Sequence, residues 1–389
     1  MLLKTAKNKR GLTLTKDNKN CIQTKYFTFE NLVLESGKTL PQVTVAYETY
    51  GNLNEKKNNA ILITHAFTGD AHCAGYHEGD EKPGWWDSMV GPQKAFDTDK
   101  YFVISSNVLG GCAGTTGPES INPLTGIQYG TDFPAISISD MVKTQKRLIE
   151  FLGIEKLFCV AGGSMGGMQV LQWAMDYPQN IYCAIPIAAT LRSTPQQIAF
   201  NEVGRQSIMA DKAWNNGHYY GSVEPDRGLA VARMLGHITY MSDYSMQKKF
   251  PISQEKEKNT SFNFNADFEV EQYLRYRGSS FVKRFDANSY LYLSKAIDHF
   301  DVQKENFLSE EKKADIKFLV ISFKSDWLYP PYQSENIVKF LKLKNQEVTY
   351  CNIYSTYGHD AFLLEITDET NLIKNFLNKL YDEVLSSEK

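Results

Sequence analysis

The chain has 389 residues, which is enough for one large α/β domain with an insertion or for two domains. Its 42 Lys and Arg residues against 45 Asp and Glu residues give a net charge of −3. That balance excludes nucleic acid as the main partner, because phosphate contacts need clustered positive charge. A hydrophobic fraction of 42% is ample for a buried core.

The first residues of the chain and its cysteines indicate the cellular compartment of the protein. Residues 1–25 are rich in Lys, Asn and Thr and lack the apolar segment of a secretory signal, so we expect a flexible leader. Six cysteines without CxxC pairs are typical of free thiols in a reducing compartment. Residues 157–175 carry no charge, but four glycines and two glutamines interrupt them, which favours a buried strand and helix over a membrane span. We therefore expect a cytoplasmic protein with no membrane partner.

Strand-like apolar runs recur along the chain, and several are continuous, as expected for strands covered by helices on both faces. They occupy residues 26–34, 43–50, 60–64, 101–105, 157–161, 182–187, 316–322 and 348–353. Helical patterns lie between them, at residues 138–152, 168–175, 334–343 and 371–385. Alternating strands and helices predict a mostly parallel eight-stranded sheet flanked by helices.

One segment breaks this alternation. Residues 191–311 are polar and helix-like and contain many Tyr and Met residues, and they separate the sixth and seventh predicted strands. We interpret them as a helical lid inserted into a core that comprises residues 26–190 and 312–389.

A Gly-Gly-Ser-Met-Gly motif at residues 162–166 follows a predicted strand and opens a predicted helix. A serine flanked by glycines at a strand-to-helix turn is the layout of a nucleophile elbow, in which a sharp bend raises the hydroxyl above the sheet. The motif alone is weak, but it makes Ser164 the candidate nucleophile of an acyl-transfer or hydrolytic enzyme.

A serine nucleophile needs a base and a carboxylate that orients the base. In folds with a nucleophile elbow, the catalytic residues occur along the chain in the order Ser, then Asp or Glu, then His. The one histidine after Asp326 is His359, which follows the last predicted strand. Asp326 follows the seventh predicted strand. Each residue has a plainer alternative, since Asp326 could cap the turn before Pro330 and His359 could hydrogen-bond to loop backbone. The three residues as an ordered set favour catalysis.

Two backbone amides are expected to form an oxyanion hole. One is that of Met165, directly after the nucleophile, and the other is that of Phe67, in the loop after the third predicted strand; the alternative for Phe67 is an ordinary loop. The neighbouring His65, His72, Cys73 and His77 invite a metal site, but their spacing matches no specific zinc pattern, so we expect no metal.

Several blocks together resemble the homoserine O-acyltransferases of methionine biosynthesis, a branch of the α/β-hydrolase superfamily. The resemblance covers roughly residues 26–376 and is weakest in the later lid, around residues 215–280. Leucine is more usual in the family where this chain has Phe67. The blocks are residues 65–72, 84–87, 107–118, 162–169, 200–206, 326–331 and 358–363.

The resemblance implies an α/β-hydrolase fold and a ping-pong reaction through an acyl group on Ser164. The co-substrate would be an acyl-CoA, either acetyl-CoA or succinyl-CoA, and the acceptor would be L-homoserine. No cofactor would be permanently bound. Arg205 would hold the carboxylate of the amino acid and Asp360 its ammonium group. The alternatives are a lid salt bridge for Arg205 and support of its own loop for Asp360. The resemblance also implies a homodimer formed through the lid.

Other functions remain open from the sequence. The acceptor could be serine instead of homoserine, and the acyl donor depends on tunnel positions that one chain does not identify. An esterase or thioesterase would use the same three residues. A non-catalytic α/β-hydrolase serving as a binding module is a further alternative, against which the intact Ser, Asp and His argue.

Overall fold

The computed structural model describes residues 21–251, 265–302 and 314–387, with side chains up to residue 383. Most of the expected leader lies outside these residues, and its last residue, Lys25, already begins the first strand. All eight strands predicted from the sequence are present, and two short ones had no prediction. The strands are β1 (Lys25–Val33), β2 (Thr39–Tyr50), β3 (Ala60–Thr64), β4 (Val90–Gly91), β5 (Phe96–Asp97), β6 (Phe102–Ser106), β7 (Leu157–Gly163), β8 (Ile181–Ile187), β9 (Lys317–Phe323) and β10 (Glu347–Ile353).

Eight of these strands form one sheet in the order β1-β2-β6-β3-β7-β8-β9-β10, and β4 pairs with β5 separately. Strand β2 runs antiparallel to both its neighbours, while every pairing from β6 to β10 is parallel. The carboxyl ends of β3, β7, β9 and β10 therefore meet at one edge of the sheet, which is where ligands bind in open parallel sheets.

The helices fill the chain between the strands. They are α1 (Ile138–Phe151), α2 (Met165–Asp176), α3 (Pro195–Met209), α4 (Asp226–Tyr240), α5 (Asp243–Lys249), α6 (Glu269–Phe281), α7 (Ala287–His299), α8 (Pro331–Leu343), α9 (Ala361–Leu364) and α10 (Ile366–Ser387). The helix predicted at residues 334–343 begins earlier, at Pro331, because proline suits the first helical turn, where no intrahelical donor is needed.

The hydrophobic core lies in two layers, one on each face of the sheet. Successive residues of β3 alternate between them, with Ala60 and Leu62 in the first layer and Ile61 and Ile63 in the second. Residues of α1, α2 and α8 pack in the first layer, and residues of α10 pack in the second. Burial on both faces explains why the central strands are continuous apolar runs.

Helices α3 to α7 fall between β8 and β9 in the chain, and we call them the lid helices. Helix α4 packs against both α3 and α6. Residues 252–264 and 303–313 of the expected insertion lie outside the described residues, and its boundaries stay a prediction. Among the described helices, none combines the length and the apolar character needed to cross a membrane.

Candidate active site

Ser164 lies at a sharp turn between β7 and α2, with φ of 59° and ψ of −124°. A positive φ is strained for a residue with a side chain, so the surrounding structure must hold this conformation. The turn requires glycine on both sides, because a Cβ atom at Gly162 or Gly166 would overlap Thr64. The strand-to-helix bend expected from the sequence is therefore present at Ser164.

Three expected residues come together at the carboxyl edge of the sheet. The Ser164 hydroxyl donates to Nε2 of His359 at 2.8 Å, and Nδ1–H of His359 donates to Oδ2 of Asp326 at 2.7 Å. All three residues are buried, with 8% of Ser164 and 3% of His359 and Asp326 exposed. An imidazole held between a hydroxyl and a carboxylate can accept the hydroxyl proton, and the carboxylate then stabilises the imidazolium.

Asp326 uses its two oxygens for different purposes. Oδ2 accepts from His359, while Oδ1 accepts the backbone N–H groups of Leu328 at 3.0 Å and Tyr329 at 2.8 Å. The turn-capping role and the imidazole-orienting role, which the sequence left as alternatives, are both present. The turn fixes the carboxylate, and the carboxylate fixes the imidazole.

The two amides expected to form an oxyanion hole belong to residues close to Ser164. Met165 is the first residue of α2, a position whose N–H has no intrahelical acceptor. Phe67 follows β3 and lines the same cavity as Ser164. A hydrogen bond from the Gln169 side chain to the carbonyl of His65, at 3.1 Å, ties the β3 loop to α2.

The cavity above Ser164 has a volume of about 50 Å³. Its walls include Phe67, Phe200 of α3, Tyr240 of α4, Tyr290 of α7 and Tyr329. Burial raises the pKa of the last three phenols, so they are neutral hydrogen-bonding groups at physiological pH. The ring of Tyr329 stacks on His359 with centroids 4.9 Å apart, which leaves the imidazole little freedom to rotate.

Arg205 is buried within the lid helices and already paired. Its Nη1 lies 2.7 Å from Oδ2 of Asp298, its Nη2 lies 2.8 Å from Oε2 of Glu202, and only 3% of its side chain is exposed. A guanidinium held by two carboxylates is less free to bind a substrate carboxylate. The lid salt bridge that the sequence left as an alternative is present, and the substrate-binding role of Arg205 stays a prediction.

Asp360 follows His359 in the chain, next to the catalytic candidates. Burial raises the pKa of its carboxyl, while the charges of His359 and Arg233 act in the opposite direction. The role in binding the ammonium group of the substrate stays a prediction for Asp360.

Comparison with known proteins identifies the family. The sequence profile of the α/β-hydrolase fold matches residues 59–366. The homoserine O-acetyltransferase of Methanohalobium evestigatum is 60% identical over 362 residues, which are 92% of this chain and 74% of that protein. That of Deferribacter desulfuricans is 56% identical over 93% of this chain and 97% of that protein.

The chain belongs to the homoserine O-acetyltransferase family. Solved structures agree with the α/β-hydrolase fold, which confirms the predicted fold class. The homoserine O-acetyltransferase from Bacillus anthracis superposes with a TM-score of 0.84 at 31% identity, covering 92% of this chain and 98% of that one. Esterase E22 superposes with a TM-score of 0.83 at 34% identity, covering 92% of this chain and all of that one.

In this family member, His65 and Cys73 near β3 each form hydrogen bonds apart from His72 and His77. His65 accepts from the N–H of Val108 at 3.0 Å and donates to the Ala66 carbonyl at 2.8 Å. Cys73 is buried, and its N–H donates to the Tyr50 hydroxyl.

The remaining two histidines share a carboxylate. His72 lies 2.9 Å and His77 2.7 Å from Glu48, and ligand atoms of these three residues lie within 4.8 Å of one another. Glu48 also accepts from the hydroxyls of Thr24 and Tyr50. Burial opposes ionisation, but hydrogen bonds from His72, Tyr50 and His77 lower the pKa of Glu48 to about 2. Because these donors occupy both carboxylate oxygens, the cluster holds itself together through hydrogen bonds.

Sequence analysis predicted no role for Arg233 on α4, although the structure places it beside the site. Its Nη1 donates to Oγ1 of Thr68 at 3.1 Å, directly after Phe67, and its guanidinium lies 5.7 Å from the ring of Tyr240. The available signal was its spacing, because Arg233, Gly236 and Tyr240 lie at i, i+3 and i+7 on one helix face. The last two line the cavity.

Proposed function

We propose that this protein transfers the acetyl group of acetyl-CoA to the γ-hydroxyl of L-homoserine through an acetyl-Ser164 intermediate, in methionine biosynthesis. The observation that carries the proposal is the pair of hydrogen bonds from Ser164 through His359 to Asp326. The names of relatives that are 52–60% identical support acetyl-CoA as the donor and homoserine as the acceptor.

In the first half-reaction, Oγ of Ser164 attacks the thioester carbonyl while Nε2 of His359 takes its proton. The N–H groups of Phe67 and Met165 stabilise the oxyanion, a contribution that is typically about 3 kcal/mol for each donor. When the tetrahedral intermediate collapses, the C–S bond breaks and His359 protonates the departing thiolate. CoA leaves, and the acetyl group remains on Ser164.

In the second half-reaction, Nε2 of His359 takes the proton of the homoserine hydroxyl, and that oxygen attacks the acetyl carbonyl. The same two amides stabilise the second oxyanion. Collapse breaks the bond to Oγ of Ser164, His359 returns the proton to it, and O-acetylhomoserine leaves. Asp326 stabilises the imidazolium in both halves.

Homoserine carries one cation and one anion, and the site offers a partner for each. We assign its ammonium group to Asp360 and its carboxylate to Arg233 instead of Arg205. Arg233 has no ion pair among the described residues, whereas Arg205 is held by Asp298 and Glu202. A planar guanidinium also suits a carboxylate, because it can donate two parallel hydrogen bonds.

Transfer requires that homoserine reach the acetyl-enzyme before water does. Walls from α3, α4 and α7 above Ser164 support this requirement, since they enclose the hydroxyl and leave 8% of Ser164 exposed. The lid insertion at residues 191–311 is therefore proposed to act as a cover that favours transfer over hydrolysis.

The direct test measures free CoA thiol from purified protein with acetyl-CoA and homoserine, serine or no acceptor. We expect rapid release only with homoserine, and no release from Ser164→Ala. Intact mass after acetyl-CoA alone should show one acetyl adduct in the wild type. Succinyl-CoA in parallel tests the donor. CoA release that needs both substrates, with no adduct at any time, would exclude the two-step scheme.

An acetylesterase is the second candidate, and the similarity to esterase E22 at 34% identity favours it. It would use the same serine, histidine and aspartate with water as the acceptor. Fast hydrolysis of p-nitrophenyl acetate, unaffected by homoserine and without formation of O-acetylhomoserine, would support this candidate over the transferase.

A cytoplasmic homodimer completes the proposal. The six cysteines are unpaired, which suits a reducing compartment. Val203 on α3 and Val231 and Ile238 on α4 are apolar and exposed, and a second copy would cover them in a dimer formed through the lid. Light scattering of the wild type and of Val231→Asp tests this, and a monomeric wild type would contradict it.

A further inference from the structure

Two arginines of the lid share one aromatic ring and one loop residue. Nη1 of Arg284 donates to the carbonyl of Thr68 at 3.0 Å, and Nη1 of Arg233 donates to the hydroxyl of the same residue. Their guanidinium carbons lie 5.1 and 4.7 Å from the ring centroid of Phe281, so the two like charges are less than 10 Å apart.

A second pair of cations lies over Tyr273 of α6. Nζ of Lys249 is 4.2 Å and the guanidinium carbon of Arg277 is 5.2 Å from the ring centroid. The hydroxyl of Tyr273 lies 3.3 Å from Nδ1 of His237, which connects this pair to α4. Lys249, Arg277 and Arg284 are exposed.

No acid within residues 21–251, 265–302 or 314–383 forms an ion pair with these charges. None of the four cations is in an ion pair with any residue of the described part of the chain, and the acids that act on them, Asp70 and Asp360, do so only at longer range. Burial, followed by the field of Arg233, Arg277, Lys249 and Arg284, lowers the pKa of His237 to about 3. Like charges repel one another, so grouping these four cations raises the free energy of the folded protein. A bound anion would offset that repulsion.

A row of rings connects the cations to the catalytic histidine. Centroid separations are 6.1 Å from His359 to Tyr240, 6.0 Å from Tyr240 to His237 and 5.5 Å from His237 to Tyr273. The pantetheine arm of CoA equals about five residues of extended chain and spans roughly 17 Å. An arm of that length can place its thioester at Ser164 and its phosphates beside Tyr273.

We propose that Lys249, Arg277 and Arg284 form a binding site for the phosphate groups of the acyl-CoA donor. This inference rests on the proposed function, because it assigns a binding site to another part of the same acyl-CoA donor. Guanidinium groups bind phosphate through paired hydrogen bonds, and the lysine adds a compact charge. Arg233, the innermost of the four cations, remains with homoserine.

The test compares two thioesters that share the acetyl-pantetheine part and differ in the phosphate and adenosine groups. Steady-state kinetics with homoserine are measured for acetyl-CoA and for S-acetyl-pantetheine, which lacks the phosphate and adenosine groups. Lys249→Glu and Arg277→Glu should each raise KM for acetyl-CoA by about tenfold or more, because each removes a charge-assisted contact. With S-acetyl-pantetheine, KM and kcat should change less than twofold.

Lys248→Glu is the matched control, because it makes the same charge change on the same helix at a residue that does not act on His237. It should leave both donors unaffected. Adenosine 3′,5′-bisphosphate should inhibit the wild type competitively against acetyl-CoA and inhibit Arg277→Glu about tenfold more weakly.

Equal effects of the substitutions on both thioesters, or an equal effect of Lys248→Glu, would overturn the phosphate site while leaving the transferase proposal intact. If the wild type releases no CoA from acetyl-CoA with homoserine, the proposed function itself fails. These two failures are therefore distinguishable in the same assay.

Discussion

The sheet edge and the lid hold their functional side chains by different means. At the sheet edge, Ser164, Asp326 and His359 are buried and joined by hydrogen bonds of 2.7 and 2.8 Å. In the lid, Arg277 and Lys249 are exposed and have no acidic partner in the described part of the chain. The edge is complete without substrate, whereas the lid cations lack the groups that would neutralise them.

This difference separates the two tasks of a transferase. Bond making requires groups fixed in advance, because reorganisation during the reaction would raise the barrier. Substrate binding can use cations, such as those of the lid, whose mutual repulsion decreases when an anionic substrate binds. Changes at the edge should therefore reduce kcat or stability, and changes at the lid cations should affect KM.

The largest expected effect is at Ser164. Ser164→Ala and Ser164→Gly should both lower kcat by about 10⁵-fold or more, since the nucleophile is lost. Glycine should also relieve the positive φ, so Ser164→Gly should be about 1–2 kcal/mol more stable than Ser164→Ala in urea unfolding. Equal stabilities would show that the elbow is not strained.

Substitution of one lid arginine, Arg205, should reduce stability, whereas substitution of the other, Arg233, should weaken homoserine binding. Arg205→Ala leaves the carboxylate of Asp298 buried without a cation and should destabilise the fold by about 3–5 kcal/mol. Arg233→Ala should leave the melting temperature nearly unchanged and raise KM for homoserine by about 10- to 100-fold. Thermal melts and kinetics on both variants check this, and the reverse pattern would restore Arg205 as the substrate-binding residue.

Substitution of a glycine in the nucleophile elbow tests how closely the backbone packs at the carboxyl edge of the sheet. Gly166→Ala places a methyl group against the backbone of Thr64 and should destabilise the protein by about 3 kcal/mol. Gly221→Ala is the reference, because it has a positive φ of 77° but open space around it. It should cost about 1 kcal/mol from backbone strain alone. Denaturant unfolding distinguishes the two costs.

The smallest predicted effect concerns pH. Because burial raises the pKa of Asp360, its carboxylate takes up a proton at a higher pH than an exposed aspartate does. The anionic form holds the ammonium group, so KM for homoserine should rise as pH falls, by about tenfold. Asp360→Asn should have a high KM at every pH. A wild-type KM that does not change with pH would contradict the assignment.

Local patterns made much of the fold and site predictable. Continuous apolar runs located the eight strands, and Ser164, Asp326 and His359 were found because each follows a strand whose carboxyl end meets the others. The ion pair of Arg205 with Asp298 could not be predicted, because a cation in a matching block has the same appearance in the sequence whether it meets a substrate or another side chain. The pairing partner lies 93 residues away on another helix, and no local pattern encodes it.

The sequence by itself determined the order of strands and helices, the glycine-flanked elbow and the identity of the three residues at the sheet edge. Each depends on short-range periodicity or on a turn that only certain residues can form. The tertiary structure alone decided which lid arginine is neutralised, and it brought Lys249, Arg277 and Arg284 together from separate segments. Charges act through space, so their sum depends on how helices distant in the chain pack against one another.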